Sequence, residues 1–287
     1  MQPRSEGVQR RLSFSLQTDQ PAAIMPYLDA QGNGVQYFDI PNRHSALTIT
    51  AQAVVELTEP PVLPARLDPD AWTLLDTLTA HDAYWDYLQP SRYARPTPLL
   101  LDLLRQLDLD TREIQRRSDP LHLVHAVNTA IHHRFTYKTR STTARSPIDE
   151  TLQQGTGVCQ DFAHIMIALL REVGIPARYV SGYLAQRGAD ADRSPGDATH
   201  AWIEALLPGL GWAGFDPTND LVAGDRHVRV AIGRDYADVP PTHGVFTGGA
   251  ETELTVEVQV TPSPVPHGSG DTWPLAQWTS PEARRVP

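Results

Sequence analysis

The chain has 287 residues, 40% of them apolar and 20% charged, with a formal net charge of −10. That composition makes a globular protein with a sizeable core, and the acidic balance repels a phosphate backbone, so nucleic acid is not an expected partner. The longest apolar run, IMIALL at 165–170, is too short to cross a bilayer, and the opening MQPRSEGVQRRLSFSL lacks an apolar h-region, so neither a membrane span nor a signal peptide is expected.

Residues 12–57 read as β structure. LSFSL and VQYFDI are short strands, ALTITAQAVVEL (46–57) is a longer one, and the Gly-Asn-Gly of DAQGNGVQYF marks a hairpin turn. The proline-rich EPPVLPARLDP (59–69) ends this region. From 71 to 154 the chain reads as helical: TPLLLDLLRQL and PLHLVHAVNTAIHHRF carry apolar residues at helical spacing, and Ser146, Pro147 and Asp149 read as an N-cap, an N1 proline and a short capping box. Later, THAWIEALL and GWAGFDP flank a Pro-Gly-Leu-Gly turn, followed by HVRVAIG and by ELTVEVQV, which alternates strictly. The tail, 261–287, holds six prolines and reads as mostly disordered, with Trp273 and Trp278 as candidates to fold back onto the body. Helices followed by an antiparallel sheet predict an α+β fold. The expected organisation is an N-terminal β domain (1–65), a core domain (66–260) and the tail (261–287).

The chain has one cysteine, Cys159, in QQGTGVCQDFAHIMIALLREVGIPARYVSGYL (153–184). A single thiol forms no intrachain disulfide and suits a reducing cytoplasm. From Phe162 the apolar positions Ile165, Met166, Leu169, Leu170 and Val173 make one helical stripe, Gly174 supplies a C′ cap and Pro176 prevents continuation, so a helix is predicted over 159–173 with a strand, ARYVSGYL, after it. Cys159 falls in the first turn. Orphan amides and about half a positive charge at a helix start favour a thiolate and can receive an oxyanion, and Gly155 and Gly157 allow close approach. Taken alone, Cys159 reads equally well as a small buried hydrophobe.

A partner base would separate these readings. His200 opens one strand of the apparent hairpin and Asp216 closes the other. A three-residue loop, Pro208 to Leu210, pairs Leu207 with Gly211 and leaves Asp216 opposite Trp202 and diagonal to His200, on the same face; a simple two- or four-residue loop puts them on opposite faces. Gly209 and Gly211 could also supply a bulge.

Three segments, GVCQDFAHIMIALLREVGIPARYVSGYL, THAWIEALLPGLGWAGFDPTND and VAIGRDYADVPPTHGVFTGG, together resemble the bacterial transglutaminase-like superfamily, and within it the subgroup with an N-terminal β domain often described as cysteine proteases. The resemblance spans about residues 30–260. It implies a papain-like α+β core, a nucleophile helix packed on an antiparallel sheet, with Cys159 as nucleophile, His200 as base and Asp216 as orienting carboxylate. Members of the subgroup usually carry further strands before the equivalent of LSFSL, whereas 11 residues precede it here, so the β domain is expected to be shortened and to leave an edge through which copies associate.

The reading is a cytoplasmic thiol enzyme that acts on a peptide or protein amide, with no metal and no organic cofactor. The alternatives are a protein-glutamine transglutaminase and a non-catalytic peptide-binding scaffold. Other residues read as structural: His122, His125, His132 and His133 match no closed metal-ligand set, His164 lies about 140° around the helix from Cys159, and Asp161 complements the helix dipole. Trp202 fits a cleft wall or sheet packing equally. The loop GRDYADVPPTHG (233–244) reads as a plain connection, with a substrate-facing role as the alternative.

Overall fold

The computed structural model describes residues 1–186, 192–194, 198–249 and 253–262. Its N-terminal region is two small antiparallel sheets. Strands β1 (Gln9–Thr18) and β4 (Ile49–Leu57) pair with a bulge between Arg11 and Ser13, and β2 (Met25–Leu28) pairs with β3 (Gly34–Tyr37) across the predicted turn. Asp29 accepts from the amides of Gln31 and Asn33, which closes that turn. The buried Asn33 then donates to Ile232 O at 2.8 Å and accepts from Ile232 N at 2.9 Å. One turn side chain thus replaces a pair of ladder bonds and ties the hairpin to the core.

The helical region comprises α1 (Ala71–Thr79), a 3-10 turn at Asp82–Tyr87, α2 (Pro98–Gln106), α3 (Arg112–Gln115), α4 (Pro120–Arg134) and α5 (Ile148–Gln154). Helices α2 and α4 start with proline in the first turn behind a capping side chain, Thr97 or Asp119, that accepts from the third amide on. Helix α5 departs from expectation. Pro147, not Ser146, occupies its N-cap without a side-chain bond; Ser146 Oγ instead accepts from Thr143 N, and Asp149 accepts from Thr97 Oγ1. The tertiary contact with the start of α2 outcompetes the local box.

Between α4 and α5 lies β5 (Thr136–Tyr137), which pairs in parallel with β6 (Thr156–Gly157) just before helix α6 (Cys159–Glu172). Strands β7 (Ala177–Leu184), β8 (His200–Leu207), β9 (Gly211–Asp216), β10 (Leu221–Val222) and β11 (His227–Gly233) form an antiparallel sheet in the order β10-β9-β8-β7-β11. Helix α6 packs on β7 and β8, with α2, α4 and α5 around its other sides. All residues from Gln160 to Arg171 are therefore buried, not the apolar stripe alone. The Arg171 guanidinium among them donates to the carbonyls of Tyr87, Gln89, Ala177 and Arg234. Burying each of Ile165, Leu169 and Leu170 contributes about 1.5–3 kcal/mol.

The predicted strand ELTVEVQV is not formed. Residues 253–260 are described without a ladder partner, with Leu254 77% and Val256 60% exposed. Alternation supplies the face of a strand, but a strand also needs a neighbouring edge. Most of the expected tail, including Trp273 and Trp278, lies outside the described residues.

Candidate active site

Local sequence fixes where the thiol stands. Gly155 closes α5 at φ 68°, in the left-handed region. A Cβ on Gly157 would lie 2.9 Å from Thr151 and 3.0 Å from Phe162, so the chain passes the core there only as bare backbone. Asp161, buried in the first turn of α6, accepts from Val158 N at 2.9 Å and from Thr142 Oγ1 at 2.6 Å. Burial raises its pKa against those bonds. It caps the helix start, which is more than the dipole complement expected. The first bonds of α6 run from Asp161 N and Phe162 N to Val158 O, so the amides of Cys159 and Gln160 stand at the open helix start.

The loop Pro208–Leu210 has three residues and pairs Leu207 with Gly211, with Gly209 (φ 73°) and Gly211 (φ 72°) supplying left-handed backbone. The same register pairs Ile203 with Phe215, which leaves Asp216 opposite Trp202 and two residues from His200 along the hairpin, on the same face. The two meet through His200 Nε2 and Asp216 Oδ2 at 2.8 Å, both fully buried.

Asp216 is held by five donors. Oδ1 accepts from the amides of Thr218 (3.0 Å) and Asn219 (3.3 Å); Oδ2 accepts from Asn219 Nδ2 (2.8 Å), His200 Nε2 and, at 3.3 Å, His227 Nε2. Burial alone would raise the carboxyl, but His200 and these bonds hold it far below the usual carboxylate range. Burial likewise opposes charge on His200, and Asp216, with Cys159 assisting, more than reverses this and raises its pKa. Cys159 thus lies close enough to act on the ring, while His200 Nδ1 has no completed hydrogen bond. Nε2 faces Asp216, so Nδ1 is the nitrogen left for the thiol; such contacts are commonly loose without substrate.

A cavity of about 200 Å³ opens beside this pair, lined by Cys159, His200, Val158, Gln160, Tyr137, Tyr179, Tyr236 and Pro241 among others. Tyr236 and Pro241 come from the loop expected to be a plain connection, so part of that loop faces the cavity. The aromatic lining is also not the one the strand residues suggest. Trp202 is sheet packing, 2% exposed, with its ring 6.0 Å from His200; Phe215 is in the core; Trp212 stacks with Arg178, 4.2 Å away; and Tyr183 is not part of the wall. Three tyrosines line the cavity instead. Tyr137 arrives through the β5–β6 bridge, which no periodicity in the chain announces.

Three other histidines pack within the fold. His164 is fully buried between Tyr93 and Tyr179 and accepts from Tyr236 N; His132 bonds Thr218 O; His125 meets Phe215 edge-on. His227 and Asn219 were not singled out by sequence. Asn219 had a signal, being three residues past Asp216 in FDPTND. His227 had none beyond opening a strand. Ligand atoms of His200, Asp216 and His227 lie within 4.8 Å of one another, a spacing that could suit a metal ion. Both Nε2 atoms, however, are spent as donors to the same carboxylate oxygen.

Comparison with known proteins relates the chain to a wider group. A family model described as the transglutaminase-like superfamily matches residues 109–217, and one described as the bacterial transglutaminase-like N-terminal region matches 1–56. An uncharacterized protein of Mycobacterium leprae is 34% identical over 260 residues, 90% of this chain and 89% of its own length. A crystal structure of a candidate cysteine protease from Cytophaga hutchinsonii superposes with a TM-score of 0.64 at 26% identity, over 89% of this chain and 85% of that one. A protein-glutamine gamma-glutamyltransferase of Pseudomonas aeruginosa is 32% identical over 145 residues, covering 47% of this chain and 20% of its own length.

Proposed function

Because the chain belongs to the transglutaminase-like superfamily, we propose that it is a thiol-dependent acyl-transfer enzyme that cleaves an amide or peptide bond through Cys159, His200 and Asp216. The observation that carries this reading is the unpartnered Nδ1 of His200 beside Cys159 at the cavity, with Nε2 locked to an ionised carboxylate. His200 takes the thiol proton on Nδ1, and Asp216 holds the tautomer and stabilises the imidazolium. The thiolate attacks the amide carbon, the amides of Cys159 and Gln160 receive the oxyanion, and Nδ1–H protonates the leaving amine. Water then attacks the thioester, giving its proton to His200, and the acid leaves as the thiol reforms. These steps need no cofactor.

The substrate in this reading is a peptide or protein amide, and its compartment the cytoplasm, which suits a lone free thiol. No helix among the described residues is long and apolar enough to cross a membrane. Open strands in the N-terminal region would let copies associate. A transglutaminase, in which a lysine amine replaces water, is the second reading, favoured by the matched gamma-glutamyltransferase. A peptide-binding scaffold is the third.

The test is amide turnover by wild type and variants. Cys159→Ala and His200→Ala are each expected to abolish turnover of a peptide or glutaminyl amide panel, non-additively. Full activity in His200→Ala would mean another base is used; a folded wild type that turns over no amide in the panel would favour the scaffold.

A further inference from the structure

We propose that His227 is a positioning residue that sets Asp216 for its work on His200, so that the site is a four-residue unit rather than a triad.

The proposal rests on the acyl-transfer reading, but its geometry stands separately. His227 opens β11, at the far edge of the sheet from β9, and β7 and β8 lie between. It nevertheless reaches Asp216 because Gly182 on β7 has no side chain. Gly182 pairs with His200 on one side and with Arg229 on the other, so His227, two residues from Arg229, faces the same way as His200. A Cβ at Gly182 would meet Val228 O at 2.1 Å and the Trp202 ring at 2.6 Å. The Trp202 indole fills that gap and meets His227 edge-on at 5.1 Å.

The hydrogen bonds define the tautomer. His227 Nδ1 accepts from Gly224 N at 3.2 Å, so the proton is on Nε2, which donates to Asp216 Oδ2. Burial lowers the pKa of this imidazole more than the carboxylate raises it, so it stays a neutral donor. Oδ2 therefore lies between His227, Asn219 and His200, while two backbone amides hold Oδ1. Asp216, itself fully buried, cannot swing without breaking several bonds. Fixing a carboxylate in this way fixes the ring it orients, the role that partners behind a ligand play at metal sites.

Iodoacetamide labelling reads out the Cys159–His200 pair without a substrate, because Cys159 is the chain's one thiol. Labelling rates across pH, amide turnover and melting temperature would be compared in wild type, His200→Ala, His227→Phe and His227→Gln. His227→Phe keeps an aromatic ring against Trp202 but donates nothing. It is expected to lower kcat about 10- to 100-fold with KM within about twofold, and to move the labelling profile toward that of His200→Ala. His227→Gln can place an amide N–H near the same oxygen and should recover most of both. Wild-type labelling and turnover in His227→Phe overturns the proposal. So does a loss that His227→Gln fails to recover, or one that only follows the melting temperature. If wild type turns over no amide but the labelling profile responds as described, the reaction is wrong and the positioning role stands.

Discussion

His200 and Asp216 meet diagonally across a hairpin, Nε2 to Oδ2 at 2.8 Å, through a register set by a three-residue loop. This contact determines which imidazole nitrogen is free. In Asp216→Asn an amide N–H can face Nε2 and leave the proton on Nδ1, the nitrogen that in the proposed mechanism accepts from Cys159. The variant is expected to fold and to lose about 10⁴-fold in kcat on amide substrates. A loss under about tenfold would mean that the carboxylate does not set the tautomer.

His164 gives an acid limb to stability. Burial between two tyrosines lowers its pKa to about 4. A histidine depressed in the fold contributes stability that is fully present above the unfolded value, about 6.5, and is lost as pH falls toward the folded one. His164→Phe keeps the stack and removes the titration, so its melting temperature should fall less between pH 6.5 and pH 4 than that of wild type. Parallel curves for the two proteins would rule out His164 as the source.

Gly182→Ala tests the gap that brings His227 to Asp216. The added methyl group would meet a carbonyl oxygen at 2.1 Å and an indole at 2.6 Å, neither at the end of a flexible chain. Overpacking of this kind costs about 1–3 kcal/mol. Thermal melting should show that loss, together with lower turnover as β11 shifts outward. An unchanged melting temperature would mean that the strands part there freely.

In the proposed reaction, the fate of the thioester separates hydrolysis from transfer. A transferase must exclude water and guide an amine in. The cavity beside Cys159 is lined by three tyrosines, and acid is expected to be the main product when an amide substrate is incubated with a lysine-like amine at about millimolar concentration, near an ordinary KM. If the amine adduct dominates under those conditions, the enzyme is a transglutaminase.

The N-terminal region carries the association prediction. Strands β1 and β4 form a two-stranded sheet with no third strand among the described residues, and unpaired strands invite pairing with another chain. Light scattering should show a dimer or larger species as concentration rises, weakened by prolines placed in β4. A monomer throughout the range would refute pairing through residues 10–57.

Much of the site was legible because its parts are local. The helix that Cys159 opens declares itself through apolar spacing from Phe162 to Val173 and a stop at Gly174; the hairpin partners declare themselves through parity, once the loop length is granted. Where reading failed, a distant partner was the cause. Ser146 looked like a cap until Asp149 found Thr97, and residues 253–260 alternate perfectly yet have no edge beside them among the described residues.

Residue type and short-range spacing thus determined, within the sequence alone, that a lone cysteine would open a buried helix and that a histidine and an aspartate could share one face of a hairpin. The register that made them meet was one of several the chain allowed, and tertiary packing chose it. Packing also decided what surrounds them. Tyr137 reaches the cavity by a two-residue parallel bridge, and His227 reaches Asp216 across a strand that happens to be bare at Gly182. Neither approach leaves a periodic trace, because each joins segments remote in sequence through a gap whose shape exists only after the sheet has formed.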